Sequence, residues 1–216
     1  MTQGPDPSEE LLDRLRRHRV VGIVRHADPA VAAGIARALL RGGLACVEIT
    51  WTVPRATEVI AELAAEFPDR YIGAGTVVHA EQVDAVAEAG ARYVVTPAVR
   101  PAVVARCRER GIPTLTGIMT PTDLYAAIDL GVRAVKVFPA GTLGPGHVAA
   151  LAEIAPEVAY VPTGGVDASS AARWLERGAT AVAIAGAFTA AWRSGGADAV
   201  GRAAADVLAA VGSPPA

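Results

Sequence analysis

Lys136 is the only lysine in a chain that carries 20 basic residues. It lies between valines in "VRAVKVFPAG" (residues 132–141), a stretch that reads as a buried strand. Burial disfavours an ammonium through desolvation, so the position calls for a reason. Arginine stays protonated near neutral pH and cannot serve as an amine nucleophile. A buried lysine freed of its proton can attack a carbonyl and form a Schiff base. The competing reading is a structural ion pair with Glu48 of "ACVEIT" (residues 45–50). Arginine would fill that role as well or better, which favours the amine.

Glu48, beside a buried amine, is placed for general acid–base work, directly or through water. Neutralising Lys136 is its other role, and the two are compatible. Arg25 ends the first strand, and a guanidinium there suits a planar anion such as a substrate carboxylate or phosphate; an ion pair with Glu48 is the alternative. "PTGGV" (residues 162–166) sets Gly164 and Gly165 after Thr163, a turn whose backbone N–H groups suit an anion. "AGAF" adds a second small-residue turn at Gly186. "IGAGTV" supplies glycines for close approach and Thr76 as a hydrogen-bonding group. Trp51, just past the second strand, reads as a lid, a wall or a subunit contact.

The elements that must position these groups alternate along the chain. Strands are expected at 20–26, 45–50, 71–77, 93–98, 113–118, 134–140, 159–166 and 181–187, with Ala/Leu-rich amphipathic segments between them. Several of those segments end in Gly, as helix C-termini prefer. Eight strand–helix units in 216 residues fit a (β/α)8 TIM barrel with an extra N-terminal helix over residues 8–18, in one domain spanning 1–216. An open doubly wound sheet is disfavoured, because no Gly-x-Gly-x-x-Gly opens a helix after the first strand. Strand alternation turns Cys46, Glu48, Thr50 and Lys136 inward. The same parity is expected to turn Arg25, Thr76, Thr96, Thr116 and Thr163 inward, toward the C-terminal ends of the strands where such barrels hold their active sites.

Composition narrows the class. The net charge is −2 and aromatics are 5%, so neither a basic patch nor a stacking platform for nucleic acid is present. No apolar run reaches the roughly 18 residues of a membrane helix, and the polar start of the chain has no apolar signal core. Two cysteines, Cys46 and Cys107, fit a reducing cytoplasm better than a disulfide framework. The four histidines have no paired metal-ligand spacing.

Taken in order, "CVEITWTVPRA", "IGAGTVV", "VVTPAV", "GIMTPTDLYAAIDLGVRAVKVFPAG" and "VPTGGV" resemble the bacterial 2-dehydro-3-deoxy-phosphogluconate (KDPG) and 4-hydroxy-2-oxoglutarate (KHG) aldolases over residues 12–210. The resemblance implies a class I aldolase on a (β/α)8 barrel, a homotrimer without metal or other cofactor. It would act on a 2-keto-3-deoxy acid to give pyruvate and an aldehyde. It assigns Lys136 to the Schiff base, Glu48 to acid–base work and Thr76 to the pyruvate part. Pro97 and Phe138 shape the pocket, and Gly164 and Gly165 take phosphate. Three positions depart from the pattern. Thr52 stands where some members carry a carboxylate-binding Arg, which turns attention to Arg25. Thr116-Gly117 stands where many have Pro-Gly. Ala187 stands where the last phosphate turn often has Ser, which weakens the case for a phosphorylated substrate and leaves backbone donors for it. Unphosphorylated 4-hydroxy-2-oxoglutarate and the galactonate-derived isomer are alternative substrates. A metal-dependent aldolase and a non-catalytic, anion-binding trimeric barrel are the rival classes.

Overall fold

The structure, a computed structural model, describes residues 7–212; the polar first six residues and the Pro-containing tail lie outside them. Helix α1 (Pro7–His18) leads into eight strands: β1 (Val20–Val24), β2 (Cys46–Thr50), β3 (Tyr71–Gly75), β4 (Tyr93–Val95), β5 (Thr114–Ile118), β6 (Ala134–Val137), β7 (Ala159–Pro162) and β8 (Val182–Ile184). Between and after them run α2 (Pro29–Arg41), α3 (Ala56–Glu66), α4 (Ala80–Glu88), α5 (Pro101–Glu109), α6 (Pro121–Asp129), α7 (Ala140–Leu143), α8 (Pro145–Ile154), α9 (Ala168–Glu176) and α10 (Gly186–Val211). The eight expected strands and the N-terminal helix are all present; β2 and β5 end where expected, and the other six strands end two to four residues earlier than the sequence pattern suggests.

All strand pairs are parallel, in the order β7-β6-β5-β4-β3-β2-β1-β8. A bridge between Thr163 and Ala183 and the Thr180 N–H donating to the Tyr160 carbonyl (2.8 Å) join β7 to β8. The sheet therefore closes into a (β/α)8 barrel.

Two apolar clusters follow from strand alternation. The outer one packs Val47, Ile49, Ile72, Val94, Val135 and Val182 against the helices. The inner one holds Val21, Ile23, Cys46, Tyr71, Tyr93, Val95, Leu115, Ala134, Val161 and Ala183, together with Leu11, Leu12 and Leu15 of α1. The amphipathic α1 thus floors the N-terminal end of the barrel with leucines, and the C-terminal end stays open. Helix N-termini around that open end are fixed by side-chain caps. Asp28 accepts from the Ala30 N–H at α2, Thr120 and Asp123 form a capping box at α6, and Asp167 with Ser170 forms another at α9. Each cap anchors a loop at the rim of the site.

The inner cluster corrects part of the expected parity. Val95 and Leu115 face inward, so Thr96 and Thr116 face the helices. Thr96 Oγ1 donates to the Ala98 carbonyl (2.8 Å) and accepts from the Gly117 N–H (3.3 Å), so it holds the β4–α5 turn. On β5 the inward residues are Leu115 and Gly117.

His18, at the end of α1, is buried, and burial, then the nearby Arg17, Arg14 and Arg70, hold its imidazole below the usual 6.5. The folded state therefore favours neutral His18, and the unfolded chain binds the extra proton as pH falls below about 6.5. Denaturant unfolding of the wild type should lose more stability between pH 7.5 and 5.5 than His18→Gln does. Parallel losses in the two proteins would remove His18 from the acid response.

Candidate active site

Lys136 on β6 and Glu48 on β2 start four strands apart in a ring of eight, so they reach toward each other across the interior. Lys136 Nζ lies 3.9 Å from Glu48 Oε1, with the two side chains 7% and 1% exposed. That distance is an ion pair without a hydrogen bond. Neither carboxylate oxygen of Glu48 has a hydrogen-bond partner. The pair is therefore electrostatically matched, while the carboxylate keeps its acceptor capacity for water or a substrate.

Glycines on neighbouring strands make the room. A Cβ added at Gly75 would lie 1.7 Å from Glu48 Oε1, so Glu48 occupies the space that a side chain there would take. On β5, Gly117 is in register with Lys136, and a Cβ there would fall 2.2 Å from the Pro97 carbonyl carbon. The absence of a side chain at 117 lets the Pro97 turn close in beside Lys136.

The aromatic ring of Phe138, 42% exposed, has its centroid 5.5 Å from Lys136 Nζ and forms one wall of the mouth. Gly164 also lies against this ring: a Cβ there would meet Phe138 Cε2 at 3.2 Å. Gly164 and Gly165 have φ of 86° and 76°, the left-handed region that glycine enters without strain. Their turn is tied to the start of α7 by the Gly141 N–H donating to the Gly164 carbonyl (2.7 Å) and the Ala140 N–H to the Thr163 carbonyl (2.9 Å). Thr163 is buried and donates to the Val161 carbonyl (3.2 Å). Gly186 opens α10 at the mouth, with open space where a Cβ would point.

Arg25 departs from expectation. β1 ends at Val24, so the guanidinium lies past the strand and is exposed. Its Nη2 donates to Thr76 Oγ1 at 3.1 Å; among the described residues it forms no ion pair with Glu48. Thr76 was expected to face inward by strand parity, but the inward face of β3 is Tyr71, Gly73 and Gly75, so alternation alone would turn Thr76 outward. A φ of 59° at Thr76 redirects it, and the Arg25–Thr76 bond spans β2 from above. Trp51 packs against the outer cluster and is part of the wall behind β2. Sequence reasoning did not single out Tyr93 or Gly73, which lie below Glu48; their signal was the inward parity of "YVV" and "YIGAG".

A cavity of about 140 Å³ at the opposite, N-terminal end is lined by Leu11, Leu12, Arg108 and Arg133. Its guanidiniums are engaged by the Leu130 carbonyl and by Glu9. Among the described residues, no three His, Cys, Asp or Glu side chains come together as a metal site.

The chain is similar to known proteins in both structure and sequence. The solved 2-keto-3-deoxy-6-phosphogluconate aldolase of Zymomonas mobilis matches with a TM-score of 0.82 at 28% identity, covering 91% of this chain and 95% of that one. A 2-dehydro-3-deoxy-phosphogluconate aldolase of Treponema pallidum is 38% identical over 166 residues, 76% of this chain and 79% of its own. A 2-dehydro-3-deoxy-6-phosphogalactonate aldolase of Escherichia coli is 32% identical over 161 residues, 74% and 78%. The class is that of the aldolases, carbon–carbon lyases. The model of the KDPG and KHG aldolases matches residues 11–202, and the chain belongs to that family.

The geometry at Gly75 makes a direct test of how the carboxylate is held. Gly75→Ala should displace Glu48 and lower kcat/KM for the keto acid by about 100-fold with the fold retained by circular dichroism. Near-wild-type turnover would show that Glu48 finds a second productive position.

Proposed function

We propose that this protein is a class I aldolase that cleaves 2-dehydro-3-deoxy-6-phosphogluconate to pyruvate and glyceraldehyde 3-phosphate. The observation that carries it is the sole lysine of the chain buried 3.9 Å from a glutamate with unfilled acceptor capacity, at the end of the barrel where such folds react.

The Lys136 amine adds to the C2 ketone, and loss of water leaves an iminium. That cation is the electron sink for breaking the C3–C4 bond. Glu48, through a water, takes the proton of the C4 hydroxyl as the bond electrons move to the iminium. The aldehyde leaves, the enamine takes a proton at C3, and hydrolysis releases pyruvate and the free lysine. Thr76 and Arg25 hold the carboxylate of the pyruvyl part. Pro97 and Phe138 wall the mouth, and Phe138 lies near the iminium position. Gly164, Gly165 and Gly186 receive the phosphate with backbone donors, on a turn that Thr163 anchors through its bonds to Val161 and Val137, supported by the N-terminus of α10. No metal or organic cofactor takes part.

A second reading, the galactonate-derived isomer, is favoured by the likeness to the E. coli phosphogalactonate enzyme. A third is unphosphorylated 4-hydroxy-2-oxoglutarate, since Ala187 brings no hydroxyl to the phosphate turn. Comparing kcat/KM on the three acids selects among them. The whole chain acts as one barrel domain in a homotrimer, and the exposed Met119, Tyr125 and Ile154 support an apolar contact face. Light scattering at three times the chain mass tests the assembly. The free, buried Cys46 and Cys107 support residence in the cytoplasm. Among the described residues, no helix is long and apolar enough to cross a membrane.

Incubation with pyruvate and borohydride, followed by peptide mapping, should place a reduced pyruvyl adduct on Lys136. Lys136→Arg should show neither adduct nor cleavage; substantial turnover in that variant would sink the proposal. Arg25→Ala should raise KM for the keto acid by about tenfold with kcat little changed. A fall in kcat at constant KM would move Arg25 from binding to the chemical step.

A further inference from the structure

Directly beneath Glu48 lies a hydroxyl that the reaction above does not use. Tyr93 is inward-facing, 1% exposed, and its hydroxyl is buried with no partner, as are both Glu48 oxygens. Buried polar atoms are satisfied by protein or by ordered water in nearly all native interiors, so three unpartnered oxygens in one barrel interior need an account.

The register brings them together. Gly73 on β3 pairs with Glu48 on one side and with Tyr93 on the other, with strands about 4.8 Å apart. Gly73 has no side chain, and the Tyr93 ring lies over it: a Cβ there would fall 2.3 Å from Tyr93 Cζ, the carbon that bears the hydroxyl. The Glu48 carboxylate lies over Gly75, two residues further along the same inward face, a rise of about 6.6 Å. The ring is held in that position by stacking on Tyr71, with centroids 5.3 Å apart and planes within 6°. The hydroxyl-bearing end of the ring and the carboxylate therefore face the same interior, over inward positions two residues apart on β3.

We infer that Tyr93 is a positioning residue for Glu48: through a single buried water its hydroxyl donates to the Glu48 carboxylate and holds it ionised and aimed at the substrate. Burial and the proximity of Cys46 and Glu48 hold the Tyr93 phenol well above its usual range, so it remains a donor across the working pH range. The other ionisable groups facing Glu48 are Lys136 from β6, Cys46 on β2, Tyr71 on β3 and Arg25 at the end of β1. Cys46 stays a neutral thiol, pushed up to about 12 by burial. Strands β5, β7 and β8 turn only Leu, Ala, Val, Gly and Thr inward.

The inference rests on the reading of Glu48 as the acid–base group, and the test separates the two. The measurement is the pH profile of kcat/KM for the keto acid, whose acidic limb reports the free enzyme's essential base. Losing a donor disfavours a carboxylate's charged form. Tyr93→Phe, which keeps the ring stack, should move that limb up by about one pH unit, a tenfold loss on the acid side. Adduct formation between pyruvate and Lys136 should persist at high pH. Tyr71→Phe, which removes the stacked neighbour's hydroxyl, should superimpose on the wild type. A limb unmoved in folded Tyr93→Phe, judged by its melting curve, would overturn the inference and leave Tyr93 a packing residue. If Tyr93→Phe does not fold, Tyr93→3-fluorotyrosine keeps ring and hydroxyl and strengthens the donor; the limb should then move down, and an unmoved limb overturns the inference equally. Wild-type turnover in Glu48→Gln would instead remove the acid–base reading itself.

Discussion

An ammonium and a carboxylate enclosed together in the barrel set the terms for everything around them. Taking two ions out of water costs several kcal/mol each in order of magnitude, and well-packed apolar residues of similar volume are often at least as stable. A barrel built for stability alone would have no use for Lys136 and Glu48. Their mutual attraction is strengthened by the low local dielectric, yet at 3.9 Å without a hydrogen bond it leaves the carboxylate's acceptors open. Such a pair is stable enough to persist and incomplete enough to accept a third group. On the proposed mechanism, an adduct on the lysine nitrogen keeps a positive charge in place when it becomes an iminium, so the electrostatic balance with Glu48 survives until the bond electrons arrive.

Two side chains from opposite strands meet only if the interior between them is emptied at one level and filled at the next. The floor is filled by Leu11, Leu12 and Leu15 and by the Tyr71–Tyr93 stack. Arg14 and Arg92 each lie over the Tyr71 ring, at 5.2 and 5.4 Å, which fixes that layer from the rim of the floor. Gly73 yields its side-chain volume to the Tyr93 ring of that layer, and Gly75 and Gly117 above it yield theirs to the Glu48 carboxylate and the Pro97 backbone. The same glycines that would weaken a strand elsewhere are here the condition for placing charge in the barrel.

Much of this was legible in the sequence because fully buried parallel strands are short β-branched runs, and because a lone lysine among arginines stands out by type. Lys136 and Glu48 were found as anomalies against their surroundings. Thr96 and Thr116 misled for a related reason. Polarity near the end of a strand was taken to mark the interior, but the outward face at that end meets turns and helix starts that also need hydrogen-bonding groups, as Thr96 does with Ala98 and Gly117. The alternation of Leu115 and Gly117 held the correct parity. Arg25 was expected to be buried because its strand was drawn two residues too long. Thr76 was expected inward from a parity that β3 does not have; it bonds Arg25 through a positive φ that strand alternation cannot anticipate. Tyr93 was hidden because an inward tyrosine reads as packing until its hydroxyl is found without a partner.

The ring order of the strands also orients a substrate. Lys136 on β6 is followed by the glycine turn after β7 and the α10 N-terminus after β8, while Arg25 and Thr76 bridge β1 to β3 over Glu48. The fixed cation and the backbone donors therefore lie on different arcs of the mouth, with the amine reaching into the space between. On the proposed reading, a keto acid with a carboxylate beside its carbonyl and a second anionic group several carbons away meets the cation with one end and the backbone donors with the other. Glu48, attached opposite Lys136, faces that chain from the other wall of the barrel. In that reading directionality comes from strand order more than from any one contact, and backbone donors meet the far anion beside Ala187, which brings no hydroxyl.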